Sequence, residues 1–213
     1  MICPLCESES SLFNKDKRRH YYQCSQCTFV FVPSEEFVSK EDESARYKTH
    51  NNSKDDPVYR QYLLNVRDSF LEMKPHGLTG VDIGCGESTL LAEFFAEKGY
   101  EMQSYDPLFF PDENWKRAKY DFFTMSEVIE HLHEPLKIIS SLKELLLLDG
   151  KILVKTEFLP APEIRKFNEW YYKNDSTHVH FYNEKSALEL SQRVSMKLEF
   201  SPSHRGVFSL SLD

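Results

Sequence analysis

Two Cys-x-x-Cys pairs stand at the head of the sequence: Cys3-Pro-Leu-Cys6, seventeen further residues, then Cys24-Ser-Gln-Cys27. Each pair presents two thiolates on one tight turn, and two such turns complete a tetrahedral shell for zinc. Tyr21, Tyr22, Phe29, Val30, Phe31 and Val32 flank the second pair and suit short strands. Residues 1–33 are too few to bury a sufficient core unaided, so a metal staple is what lets them fold. Four protein thiolates close the shell, which makes the metal structural rather than catalytic. The stretch between the pairs carries Lys15, Lys17, Arg18, Arg19 and His20. A solvated hairpin tip is expected there, with contact to phosphate or an acidic partner as the alternative.

Residues 34–56 are polar and charged and read as a linker, with a short helix over 41–47. Tyr59, Tyr62, Leu63, Val66, Phe70 and Met73 then recur at helical spacing over 57–74, between Asp56-Pro57 and Pro75. Beyond them strands are expected at 80–83, 101–105, 120–125 and 151–156, and helices at 88–98, 135–148 and 186–193. A closing strand pair follows at 196–201 and 207–212. Strand–helix alternation predicts an α/β domain over 57–213 with a parallel sheet. Acids outnumber bases 34 to 26, for a net charge of −8, which disfavours general attraction to a nucleic-acid backbone. No apolar run of roughly 18 residues is present to span a bilayer, and no basic-then-apolar leader is visible. Five cysteines in this spacing do not make a disulfide scaffold, so a reducing cytoplasm is the expected setting.

The segment Gly80-Val-Asp82-Ile-Gly84-Cys85-Gly86-Glu-Ser88 ends a strand, turns through glycines and opens a helix. In open α/β sheets the ligand crevice lies outside the carboxyl ends of the strands, and Gly84 and Gly86 permit close backbone approach there. Asp106 follows Asp82 by twenty-four residues, at the end of the next strand, where an acid can accept both hydroxyls of a ribose. A dinucleotide oxidoreductase would use the same turn, but its fingerprint requires glycine where this chain has Thr89.

Asp82-Ile-Gly84-Cys85-Gly86 resembles the first motif of the class I S-adenosylmethionine-dependent methyltransferases, and Tyr105-Asp106-Pro107 resembles their ribose-binding strand end. Tyr120-Asp121 through Ser126-Glu127-Val-Ile-Glu130-His131 resembles the fourth-strand motif, and Asp149-Gly150-Lys-Ile-Leu-Val the fifth strand. The N-terminal module is similar to a zinc ribbon, and with Arg46-Tyr47…His50-Asn51-Asn52 and Trp170-Tyr171-Tyr172…Asp175…His178-Val-His180-Phe-Tyr182 it resembles a bacterial group of zinc-ribbon methyltransferase-like proteins. The resemblance implies a Rossmann-like sheet with an antiparallel last strand. It also implies S-adenosylmethionine held by Asp82, Gly84, Cys85, Gly86, Asp106, Pro107 and Ser126. Two departures stand out. Ser88 occupies the third glycine position, and only fourteen residues separate Asp106 from Asp121, so the family's third strand is expected to be shortened or absent. Phe109, Phe110 or Trp115 either covers the adenine or plugs the sheet edge.

Glu127, Glu130 and His131 form an ExxEH pattern after the fourth strand, similar to small-RNA 2′-O-methyltransferases and ubiquinone-pathway O-methyltransferases. That likeness implies a divalent metal on Glu127, Glu130, His131 and one further histidine, His178 or His180, beside the structural zinc on Cys3, Cys6, Cys24 and Cys27. Without a metal, His131 or His178 serves as general base, which an imidazole of pKa about 6.5 suits. The aromatics at 170–172 and 178–182 form either a substrate wall or a hydrophobic lid. Arg46, Tyr47 and His50 belong either to a lid over the cofactor or to a solvated linker. Cys85 reads as a small turn residue, not a nucleophile, since no basic group adjoins it. The expected function is S-adenosylmethionine-dependent O-, N- or C-methylation of a small-molecule or carrier-borne acceptor. The alternatives are an RNA methyltransferase that uses the ribbon for recognition, or a catalytically degenerate partner-binding protein.

Overall fold

In the computed structural model, which describes residues 1–47, 54–160 and 164–212, the cysteine turns and the strand–helix alternation build two sheets. Strands β1 (Ser10–Lys15), β2 (His20–Cys24) and β3 (Val30–Phe31) pair antiparallel, with Tyr21, Phe29, Val30, Phe31 and Val32 buried. The four buried sulfurs gather at one end. Cys3 Sγ lies 3.8 Å from Cys27 Sγ and Cys6 Sγ 3.3 Å from Cys24 Sγ. A zinc–sulfur bond of about 2.3 Å sets the edges of its tetrahedron near 3.8 Å, so the cluster fits that ion with little adjustment. Amides of Leu5 and Gln26 point at the sulfurs of Cys3 and Cys24 at 3.4 and 3.3 Å, as thiolates require.

Helix α1 (Lys40–Tyr47) precedes α2 (Pro57–Glu72), which opens at Pro57 under Asp56, whose carboxylate accepts the Val58 amide at 2.8 Å. The alternating elements follow in order: β4 (Thr79–Ile83), α3 (Leu90–Ala96), β5 (Glu101–Tyr105), β6 (Tyr120–Ser126), α4 (Pro135–Glu144) and β7 (Leu146–Lys155). After them come α5 (Ile164–Glu169), β8 (His180–Phe181), α6 (Glu184–Arg193), β9 (Lys197–Phe200) and β10 (Val207–Ser211). The main sheet has the order β5-β4-β6-β7-β10-β9, with the first four strands parallel and β10 antiparallel to both neighbours. Strand alternation sends Phe122 and Leu153 to a core under α2 and α3, and Phe123, Ile152 and Val154 to the opposite core. Chain order reverses between β4 and β6, which makes the carboxyl ends of those two strands the switch-point crevice. No described helix is long and apolar enough to cross a membrane.

Three local expectations are corrected. Helix α4 stops at Glu144 and β7 begins at Leu146, although 145–148 is a run of leucines. The strand pairs Tyr120 with Leu146 and then Phe122 with Lys151, so 147–150 bulges outward and leaves Leu148 82% exposed. Gly150 makes that bulge possible, because a Cβ there would sit 2.8 Å from the Leu147 carbonyl oxygen. Helix α3 starts two residues late, the Ser88 hydroxyl accepting the Leu90 amide at 3.2 Å. Third, Arg19 is not a solvated tip residue. Its side chain is 5% exposed and it donates to the carbonyls of Lys173, Asp175, Ser176 and His178, whereas Lys17 and Arg18 are exposed.

Among the described residues no strand lies between β5 and β6. The chain there makes a bridge from Asp106 to Phe110 and a short turn over Asn114–Arg117. Trp115 is buried against Tyr105 and Phe123, so it packs the sheet at edge strand β5. The ribbon is joined to the larger body as one sheet, because β3 pairs antiparallel with β8 through Val30–Phe181 and Phe31–His180. Residues of the 34–47 stretch are tied down as well. Glu36 accepts from the His20 amide at 2.6 Å, and Arg46 donates to Asp175 at 2.8 Å. His50 lies outside the described residues.

Candidate active site

The turn after β4 folds back over the end of β5. Amides of Gly84 and Cys85 donate to the Tyr105 carbonyl at 2.7 and 3.2 Å. Gly84 and Gly86 have φ of +72° and +65°, the left-handed region that favours glycine. A Cβ on Gly84 would meet Val128 Cγ2 at 2.6 Å, whereas one on Gly86 would meet no atom within 4 Å, so the space beside that backbone is open. The Gly86 amide donates to Asp106 Oδ2 at 3.1 Å, and Oδ1 accepts the Leu108 and Phe109 amides at 2.8 and 3.1 Å. Asp82, at the end of β4, is 3% exposed and accepts from Thr124 Oγ1 at 2.7 Å. Burial pushes its carboxyl up to about 7.

Asp82 and the Gly84–Gly86 turn open onto a cavity of about 580 Å³ at the switch point, within the size range of small-molecule sites. Asp82, Gly84, Cys85, Gly86, Ser126, Glu127, His131 and His178 line it. Asp106 and Pro107 are not on its wall. Asp106 meets the site through the Gly86 amide, and Pro107 is exposed. Burial, then the charges of Asp82 and Asp106, push the Cys85 thiol up, so it is a protonated wall residue.

The opposite wall comes from the turn after β6. Glu127 has φ of +54°, a strained conformation for a side chain of its size. Its carboxylate meets Lys155 Nζ at 3.2 Å and accepts from the Tyr62 and Tyr172 hydroxyls at 3.3 and 2.8 Å. Glu130 is fully buried, hydrogen-bonded to the Tyr172 hydroxyl and accepting from Thr156 Oγ1 at 3.0 Å. Burial first, and then the charge on Glu127, raise the Glu130 carboxyl well above its ordinary range.

His131 Nδ1 faces the Thr177 carbonyl at 3.2 Å and His178 Nδ1 the Tyr172 carbonyl at 2.8 Å. The two rings stand nearly perpendicular with centroids 4.5 Å apart. Glu130, His131 and His178 each bring one possible ligand atom within 4.8 Å of the others. Glu127 is not in that set, having turned to Lys155, and His180 is elsewhere. The His180 ring is buried between Phe29 and Phe37, its Nδ1 has no partner among the described residues, and burial lowers it to about 3, so it is a neutral core histidine.

The remaining walls combine two tyrosines with no motif to announce them, Tyr59 and Tyr62, with residues of the quoted Arg46-Tyr47 and Trp170-Tyr171-Tyr172 segments. Tyr59 and Tyr62 face the cavity from α2, and Tyr172 joins the two glutamates. Two phenols at i and i+3 in a stripe whose other members carry no polar atom were the available signal. Arg46 and Tyr47 line the cavity, with Arg46 held on Asp175. Of the aromatic run, Trp170 packs on Phe167 and Phe181, whereas Tyr171 is 68% exposed on the cavity rim.

In sequence, no curated protein matches the chain significantly. Among solved structures, the fold is similar to the Burkholderia thailandensis 1,6-didemethyltoxoflavin-N1-methyltransferase with bound 1,6-didemethyltoxoflavin and S-adenosylhomocysteine. The identity is 13%, the match covers 97% of this chain and 100% of that one, and the TM-score is 0.58. An O-methyltransferase family protein from the same organism matches at 11% identity over 80% of this chain, with a TM-score of 0.57. The pyocyanin biosynthetic protein PhzM matches at 12% identity over 79% of this chain, with a TM-score of 0.53. The chain spans 62% and 61% of the length of these last two, less than two thirds. The family model described as a methyltransferase domain matches residues 57–194, and the chain therefore belongs to the methyltransferase-domain family.

Proposed function

We propose that the chain transfers a methyl group from S-adenosylmethionine to a small-molecule acceptor. The observation that carries this reading is a single cavity that joins the Gly84–Gly86 turn to the His131–His178 pair. Open space beside Gly86 and a buried acid at Asp82 suit the cofactor's backbone contacts and cationic end, Asp106 holds the Gly86 amide from behind the wall, and Cys85 and Ser126 are walls. When bound, the sulfonium supplies an already activated methyl group, so the protein's task is to position the acceptor, exclude water and take a proton. With Nδ1 of each imidazole against a carbonyl, Nε2 is the basic atom, and His131 or His178 accepts the proton there. The acceptor mouth carries Glu127, Glu157 and Asp175 against Arg46, which favours a small polar or aromatic acceptor, free or carrier-borne, over an RNA backbone. Zinc on Cys3, Cys6, Cys24 and Cys27 is structural, and a reducing cytoplasm keeps those thiolates available.

Titration calorimetry with S-adenosylhomocysteine tests the reading. Wild type is expected to bind, and Gly86→Ala to fold with a loss of about 1–2 kcal/mol from the left-handed backbone while binding at least roughly tenfold more weakly. No heat of binding with the wild type overturns the assignment.

A second reading has its own observation, the convergence of Glu130, His131 and His178. Those three would hold a divalent ion, with each carbonyl behind an imidazole fixing its tautomer. Such an ion would lower the pKa of an acceptor hydroxyl. Elemental analysis after manganese loading is then expected to find two metals per chain, the second lost in His178→Ala. One metal in the wild type rejects this reading and leaves the imidazole base.

A further inference from the structure

Arg19 belongs to the ribbon hairpin, yet its guanidinium sits where the 173–178 wall of the cavity is fastened. All five of its N–H groups have acceptors. Nη1 donates to the carbonyls of Ser176 and His178 at 3.0 and 2.7 Å, Nη2 to those of Lys173 and Asp175 at 2.6 and 2.9 Å, and Nε to the Tyr21 hydroxyl at 3.3 Å. The base of the arginine is fixed in turn. Asp16 Oδ1 accepts the amides of Arg18 and Arg19, and Oδ2 accepts the Tyr21 hydroxyl at 2.8 Å. Apart from the short turn Tyr171–Asn174, the wall has no regular structure to satisfy its carbonyls, so the cation does this work.

The same six residues carry the chemistry. Asp175 holds Arg46, the Thr177 carbonyl faces His131 Nδ1, and His178 presents its imidazole to His131 and Tyr172. We infer that Arg19 is a positioning residue for the His131–His178 pair, and that the ribbon is a built part of the active site, not a separate recognition arm. The inference rests on the methyltransferase reading for its meaning but on the five hydrogen bonds for its geometry. Removing the guanidinium takes a donor from four buried or part-buried carbonyls, of which that of Asp175 keeps the His178 amide at 3.3 Å, and lysine restores the charge with only three donors in a different geometry.

The test uses the full chain with Arg19→Lys and Arg19→Gln. Amide exchange over 175–179, ring resonances of His131 and His178, and S-adenosylhomocysteine calorimetry are read together. In Arg19→Gln, exchange over 175–179 is expected to rise about tenfold or more and both imidazole resonances to move, while exchange in β4–β7 stays at wild-type rates. Arg19→Lys is expected to fall between, and carries the test alone if the glutamine variant does not fold. Unchanged loop exchange and ring resonances overturn the inference. So does a uniform rise across β1–β3 and the main sheet, which would make Arg19 a general scaffold contact. Failure of the wild type to bind S-adenosylhomocysteine sinks the methyltransferase reading separately and leaves the loop measurement decisive for Arg19.

Discussion

Cys24→Ser is expected to lower the melting temperature by about 10 °C or more and to raise exchange throughout β1, β2, β3 and β8. Zinc binding to a four-ligand site is worth on the order of 10 kcal/mol to a small module, comparable with the whole stability of an ordinary domain. The ribbon has too little core to survive that loss, and its unfolding does not stay local. Phe29, Phe31 and Tyr21 are fully or nearly fully buried against residues of the larger body, among them Tyr182, Phe167 and Phe181, and β8 has β3 as its strand partner. Losing even 3–5 kcal/mol of this joint packing would shift the transition of a chain this size by the amount stated. Scanning calorimetry checks it, with a strong chelator on the wild type as the matched control. A wild-type transition in Cys24→Ser would mean that the ribbon is held by its packing and not by a metal.

Local chemistry was legible in the sequence, and distant pairing was not. The Cys-x-x-Cys turns, the Asp56-Pro57 helix start and the Gly84–Gly86 turn each depend on residues within a few positions, and each is found where expected. That the family's third strand would be shortened or absent could be expected from the resemblance and the spacing together, since fourteen residues cannot hold a helix and a full strand, and among the described residues no strand stands there. Arg19 could not be read, because its four carbonyl partners lie more than 150 residues away and a basic tip resembles any solvated turn. The β3–β8 pairing rests on two-residue strands with no periodic signal. Residues 145–148 mislead because leucine favours a helix, and only the close approach of Gly150 to backbone forces the bulge. In the site, Glu130, His131 and His178 of the expected set lie close together. Glu127 went to Lys155, a preference set by a neighbour on β7 and not by the motif.

Asp82 is expected to make the empty protein less stable as pH rises from about 4 toward 7. Its folded carboxyl titrates at about 7 against an ordinary value of 3.8, because burial penalises the anion. Between those values the folded state keeps a proton that the unfolded state has released. The stability it contributes is therefore complete below 3.8 and is lost as pH rises through 7. Each pH unit in that window can remove up to about 1.4 kcal/mol, so the total is a few kcal/mol. Asp82→Asn cannot ionise, and its side-chain oxygen can still accept from Thr124. Urea unfolding of both proteins at pH 5, 6, 7 and 8 should show wild type losing ground to the variant up to about pH 7 and levelling off by pH 8, and a constant difference would contradict the buried-acid account. Arrival of a cationic amino-acid end would favour the anion, because an opposite charge lowers a carboxyl's pKa. Binding of S-adenosylhomocysteine below pH 7 is then expected to release close to one proton, read from calorimetry in buffers of different ionisation heat. Asp82→Asn should release none, and equal release from both proteins would place the cationic end away from Asp82.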